Sequence, residues 1–225
     1  MPSMLKPEDR AAVLAALEAQ YGGRGTALEY RNAFELLVAV MLSAQTTDKM
    51  VNVVTKPLFE RYPTPADIAR LTGEELKPWI AKIGLANTKA KNVVETCRLL
   101  VEHHGGEVPS SYEALVALPG VGRKTANVVL SNAFDIPAIP VDTHVFRVAN
   151  RLGLADASTV DATEKQLMAN VPREKWADGH HWLIWHGREI CKAPTPKCEQ
   201  CPLTAWCFYY NRKGQWKKGP KAKKA

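Results

Sequence analysis

Leu118-Pro119-Gly120-Val121-Gly122-Arg123-Lys124-Thr125-Ala126 is the stretch whose reading decides the fold. The segment from about Tyr112 reads as a helix that ends at Leu118, because Pro119 disfavours helical backbone at the residue before it. Two glycines then permit tight turns, and a second helix starts near Arg123. The first amides of that helix have no partners within it and point outward with the positive end of the helix dipole. Glycines without side chains let a phosphate approach those amides. Two helices joined this way form a hairpin that grips a nucleic-acid backbone without reading its sequence. Two glycines alone would serve an ordinary helix–helix turn equally well; the full string points beyond one.

Outward from the hairpin, the chain reads as helix after helix. Glu8 to Gln20 is rich in Ala and Leu and follows Pro7, a good helix opening. Phe34, Leu37, Val38, Met41 and Leu42 repeat at helical spacing, as do Val93, Val94, Cys97, Leu100 and Val101, and Val145, Val148, Ala149 and Leu152. Asp48 can cap a helix running toward Phe59. Strand-like alternation is scarce and the punctuation short, as at Tyr62-Pro63-Thr64-Pro65 and Gly105-Gly106, so the expected class is all-α. One faint repeat appears: Lys89-x-x-Asn92-Val-Val and Lys124-x-x-Asn127-Val-Val each follow a glycine-containing turn.

The bulk numbers bound the function. The 225 residues suffice for one large domain or two small ones sharing a cleft, and 46% are hydrophobic, so a sizeable core can be buried. No stretch reaches the roughly 18 apolar residues that span a bilayer. Met1-Pro-Ser-Met-Leu-Lys6 lacks the layout of a secretory signal. A soluble, intracellular protein is expected. Of the net charge of +7, all is carried by Arg212 and the six lysines after it, a tail without acids; residues 1–211 balance to zero. The tail serves solubility or tethers phosphates.

Three groups of residues can carry chemistry. Lys124 lies in the first turn of the second hairpin helix, where the dipole disfavours its charged form; a neutral lysine is a nucleophile able to form a Schiff base with a carbonyl-level carbon. Pro140-Val141-Asp142-Thr143-His144 opens an amphipathic helix, so Asp142 is its expected N-cap. Capping fixes a carboxylate in place, where it can stabilise positive charge developing on a sugar and assist proton movements. The third group is Cys191-x6-Cys198-x2-Cys201-x5-Cys207. In an intracellular protein such crowding indicates metal more than disulfides. Four cysteines suit tetrahedral zinc or a [4Fe–4S] cluster, and the presence of one close pair, Cys198–Cys201, favours the cluster. Cys97, alone in an apolar stripe, reads as core.

These motifs stand in the order and spacing of the endonuclease III family, which the chain resembles from about Leu14 to Cys207, and the hairpin string looks like the helix–hairpin–helix of DNA glycosylases. The likeness includes Phe34 through Gln45 to Asp48, Ile83-Gly84-Leu85, and His180-His181-Trp182-Leu183-Ile184-Trp185-His186-Gly187-Arg188. The resemblance implies two helical domains flanking a DNA-binding cleft. A six-helix barrel with the hairpin would occupy residues 26–136, an iron–sulfur cluster domain 1–25 and 137–211, and the basic tail 212–225.

It also implies a bifunctional glycosylase that removes oxidised pyrimidines from double-stranded DNA and cuts abasic sites by β-elimination. Lys124 would be its nucleophile and Asp142 its essential carboxylate. Cys191, Cys198, Cys201 and Cys207 would hold a [4Fe–4S] cluster. The target base must leave the stack before its sugar can be reached; Gln45 would fill the vacated space and Leu85 wedge between bases. Gly120, Val121, Gly122, Arg123 and Thr125 of the hairpin, and His144 beside Asp142, would touch DNA. Apart from the resemblance, Gln45 is a helix-end polar residue and Leu85 a core leucine. Ala86 stands where close relatives are expected to carry a bulkier side chain. The expected state is a monomer in a bacterial cytoplasm, associated with the nucleoid. Three rivals are an adenine glycosylase, which lacks the lysine and adds a large C-terminal domain, a non-enzymatic zinc and DNA-binding module, and an electron carrier. Lys124, Asp142 and the chain length weigh against them.

Overall fold

The computed structural model describes residues 4–212. The expected tail, beyond Arg212, lies outside the described residues. Among those described there is no strand, and no helix is long and apolar enough to cross a membrane. The chain divides into two compact units: Ala27–Ile136, and the segments up to Thr26 and from Pro137 onward. The helices, in chain order, are α1 (Pro7–Tyr21), α2 (Ala33–Ser43), α3 (Asp48–Arg61), α4 (Pro65–Ala69), α5 (Gly73–Leu76), α6 (Ala86–His104), α7 (Tyr112–Val116), α8 (Arg123–Ala133), α9 (Thr143–Leu152), α10 (Val160–Asn170), α11 (Trp176–Glu189) and α12 (Phe208–Asn211). Short 3-10 turns lie at Lys77–Ile80, Arg173–Lys175 and Cys198–Gln200.

The central unit, Ala27–Ile136, is built around α2, which is apolar on nearly every side and packs against α3, α6 and α8. Leu36, Leu37, Val38, Ala39 and Leu42 have no exposed surface. The one carboxylate in this buried helix, Glu35, is satisfied by the Arg31 guanidinium at 2.5 and 2.8 Å and by the Arg31 amide at 2.7 Å. Helix α6 carries the second stripe, with Cys97 and Leu100 fully buried, and packs on α4 and α5. Two sequence expectations shift here. Thr47, not Asp48, caps α3, accepting from the Met50 amide; Asp48 is its first residue. Helix α7 ends at Val116, short of Leu118, whose amide closes a turn onto Leu115 O instead.

The flanking unit packs α1 and α9 against α11, with α10 and α12 against α9. Trp182, Tyr21, Leu17, Val145, Val148 and Leu152 form its core. The α9 stripe read from the sequence is the face turned into that core.

Candidate active site and cysteine centre

The hairpin in the central unit is shaped by backbone geometry that only part of its sequence announces. Gly120 has φ +76, the left-handed region glycine favours, and a Cβ there would stand 2.7 Å from Asn92 Nδ2 of α6. Both requirements select glycine. Thr96 Oγ1, one turn further along α6, donates to Pro119 O at 3.0 Å and fixes the hairpin from below. Val121 is buried and its amide donates to Leu118 O at 3.1 Å, so it shapes the turn. Gly122 is the N-cap of α8 and offers no side-chain cap; the helical ladder begins with the Ala126 amide donating to Gly122 O at 3.0 Å. This leaves the α8 N-terminus to be completed by something other than a capping side chain, the arrangement that suits an anion. Arg123 and Lys124 are exposed, and Thr125 is half-buried. Lys124 is the second residue of α8.

Gln45 and Leu85, also in the central unit, share an unusual backbone. Their φ angles are 57 and 62, left-handed values that few non-glycine residues adopt. Gln45 is exposed in the turn after α2, and Leu85, the N-cap residue of α6, is 61% exposed. Leu85 is therefore not the core leucine its chemistry alone suggests. A leucine held outside the core in a strained conformation is costly unless it is used, and strain of this kind clusters at functional sites.

In the flanking unit, Asp142 is the N-cap of α9, as expected. Its Oδ1 accepts from the His144 and Val145 amides, each at 2.8 Å. The peptide just before it is anchored by His180 Nδ1, which donates to Pro140 O at 2.7 Å. His144 is half-buried against Gly187 of α11, and burial lowers its pKa. Arg147 ties α9 to the cysteine loop: Nη2 donates to Gly187 O at 3.0 Å and Nε to Cys191 O at 3.1 Å. Sequence reading gave no individual role to Arg147, Asn92 or His180, since each acts through contacts with residues distant in sequence.

All four clustered cysteines are free thiols and line one cavity, together with Leu152, His186, Ile190 and Tyr209. Burial raises the Cys201 and Cys207 pKa values, Cys207 to about 11. Arg151 Nη1 lies 3.5 Å from Cys191 Sγ and donates to Lys192 O at 2.9 Å. As the side chains stand, no group of three or more His, Cys, Asp or Glu among the described residues forms the ligand set of a metal ion. The donor chemistry nonetheless fits a sulfur-ligated group: four thiols face one space, in apolar surroundings, with a guanidinium beside them to offset thiolate charge. Cys97 lies apart, fully buried in the other unit's core, as read from the sequence.

Comparison with known proteins is decisive. Residues 38–173 match the model of the HhH-GPD superfamily base excision DNA repair proteins. Endonuclease III of Rickettsia conorii is 52% identical over 185 residues, 82% of this chain and 88% of that protein. The chain belongs to the endonuclease III family. It is a base-excision DNA repair enzyme, a DNA glycosylase with abasic-site lyase activity. Among solved structures, a non-covalent endonuclease III–DNA complex matches with a TM-score of 0.89 at 46% identity, covering 95% of this chain and all of that one. A trapped endonuclease III–DNA covalent intermediate, an estranged-adenine complex, matches with a TM-score of 0.88 at the same identity, over 94% of this chain. The all-helical class expected from the sequence is that of this family's fold.

Proposed function

We propose that this endonuclease III family member excises oxidised pyrimidines from double-stranded DNA and cuts the strand at the resulting abasic site through a Schiff base on Lys124. The observation that carries the reading is the position of Lys124: an exposed amine in the first turn of the hairpin helix, in a chain 46% identical to an enzyme trapped covalently on DNA. The uncapped α8 terminus and the glycine turn grip a phosphate and place that amine beside the sugar of the flipped nucleotide. The Nζ lone pair attacks C1′, the C1′–base bond breaks, and the base leaves with a proton. The nitrogen gives up a proton, its lone pair expels O4′ from C1′, O4′ takes up a proton to become a hydroxyl, and the ring-opened sugar is an iminium on Lys124. Loss of a C2′ proton expels the 3′ phosphate, and water hydrolyses the iminium to free the enzyme.

Asp142 supports the first step electrostatically. The Oδ1 contacts with two amides hold the carboxylate in a fixed orientation, suited to stabilising positive charge that develops on the sugar. Gln45 fills the gap left by the extruded nucleotide and Leu85 wedges the stack, roles that suit their exposure and left-handed backbone. Cys191, Cys198, Cys201 and Cys207 would hold a [4Fe–4S] cluster, which, when bound, staples the loop from Cys191 to Cys207 and lets its thiolates exist where burial favours thiols. The protein works on DNA in a bacterial cytoplasm.

The test uses two duplexes, one with a single oxidised thymine and one with a ready-made abasic site. Wild type releases the base from the first and cuts both. Lys124→Ala folds and binds both but cuts neither; wild-type cutting by that variant overturns the assignment. Anaerobically purified protein should hold about four irons per chain. Equimolar zinc without iron would overturn the cluster.

A further inference from the structure

Lys89 is a lysine in an unexpected place. It lies in the first turn of α6 and is 7% exposed. Its Nζ donates to Leu42 O at 2.9 Å, to Ala44 O at 2.6 Å and to Thr46 Oγ1 at 3.3 Å. These acceptors bracket Gln45: Ala44 O belongs to the peptide entering it, and Thr46 follows it. At its other end, the Lys89 amide donates to Leu85 O at 3.0 Å, the peptide leaving Leu85. That backbone bond is the ordinary helical one that any residue at 89 would make; what the lysine adds is its ammonium, which ties the Gln45 turn to α6, the helix whose N-cap is Leu85. The φ angles of 57 and 62 persist only where neighbours enforce them.

A cation on the last carbonyls of α2 also has an ordinary role as a C-terminal cap. That role needs no burial, since exposed lysines cap helix ends at little desolvation cost. Here burial lowers the Lys89 pKa, the sign of an amine withdrawn from water. The contact to Thr46, beyond the helix end, also lies outside what capping requires. The repeat partner makes a useful contrast. Lys124 in the second K-x-x-N-V-V string is exposed, whereas Lys89 in the first is turned inward.

We propose that Lys89 is a positioning residue that locks the Gln45 turn to the Leu85 turn, so that filler and wedge enter the duplex as one rigid unit when the damaged nucleotide leaves the stack. The inference rests on the reading of Gln45 and Leu85 as duplex-entering residues. It assigns Lys89 no contact with DNA. Without the ammonium, the Gln45 turn is released from α6 and from the Leu85 turn at its start, and must be ordered at the moment of binding, which lowers the fraction of productive encounters.

Lys89→Met keeps the aliphatic stem and removes the three donors. It is compared with wild type, with Gln45→Ala/Leu85→Ala, and with the triple variant. The substrates are a duplex with one oxidised thymine and a single-stranded oligonucleotide with one abasic site. The single strand has no partner base to estrange and no stack to hold open, so it needs neither filler nor wedge. Lys89→Met should lower duplex excision by about tenfold or more and leave single-strand incision within about twofold of wild type. In the Gln45→Ala/Leu85→Ala background it should add no further loss. Equal loss on both substrates, full duplex activity, or an additive loss in the triple variant would each overturn the proposal. Wild-type duplex activity of Gln45→Ala/Leu85→Ala would instead remove the reading beneath it. If Lys89→Met is insoluble, Lys89→Leu, a helix-forming side chain that also has no donor, replaces it under the same criteria.

Discussion

Asp142 caps α9 and, in the proposed function, also supplies charge to the reaction; two substitutions separate the roles. Its Oδ1 accepts from the His144 and Val145 amides at 2.8 Å, which caps α9. Asp142→Asn keeps an oxygen acceptor in the same place. It loses only the charge–dipole attraction at the helix N-terminus, about 0.3–1 kcal/mol. Asp142→Ala loses both bonds and should cost about 1–2 kcal/mol. In a chain of this length a kilocalorie moves the melting midpoint by about 2–4 °C. Thermal unfolding should therefore rank wild type slightly above Asn and clearly above Ala. Catalysis should rank differently. Removing a preorganised charge from a developing cation costs on the order of a hundred- to a thousandfold in rate. Single-turnover base release from a duplex with one oxidised thymine should fall by that amount in both variants. Cutting of a ready-made abasic site should survive in part in Asp142→Asn, because Lys124 still meets an aldehyde there. The reasoning is refuted if Asp142→Asn releases base at nearly the wild-type rate, or if it melts as low as Asp142→Ala.

Leu85→Gly should be stabilised by up to about 1 kcal/mol, since the left-handed strain it relieves exceeds the added entropy of the unfolded chain and little buried surface is lost, while duplex excision falls; thermal unfolding beside the excision assay checks both signs. Gly120→Ala should destabilise by about 1–3 kcal/mol through its φ of +76 and the 2.7 Å approach to Asn92. Adding Asn92→Ala should recover the steric part and leave the backbone part. Cys97, whose pKa burial pushes up to about 12, should resist alkylation at pH 8 until the protein unfolds. The same raised pKa means the unfolded chain ionises first on going alkaline, so the Cys97 contribution to stability is lost as pH rises above the ordinary thiol range. Mass-mapped labelling and melting against pH report the two effects.

Local chemistry explains which of these features the sequence displayed. Asp142 was readable as a cap because an N-cap is decided by its own side chain and the next three residues. Pro119 and the two glycines marked the hairpin for the same reason, and Cys97 was readable as core from its stripe. The neighbouring cap was not: Thr47 and Asp48 are both good cappers, and only the path of the chain into α3 selects Thr47. Leu85 was harder still. An apolar side chain in a helical pattern defaults to the core, and nothing local shows that its turn is left-handed without a glycine. Lys89 was opaque because its acceptors lie more than forty residues away in sequence, and lysine defaults to solvent. The sequence thus displayed the residues proposed for chemistry more clearly than the residues that hold them.

Borohydride reduction on abasic duplex DNA tests the central claim most directly, because it converts the iminium into a stable amine and marks the nucleophile. The wild-type protein should yield one covalent protein–DNA adduct, and peptide mapping should place it on Lys124; Lys124→Ala should yield none while still binding the duplex. An adduct on another residue, or wild-type trapping by Lys124→Ala, would contradict the account.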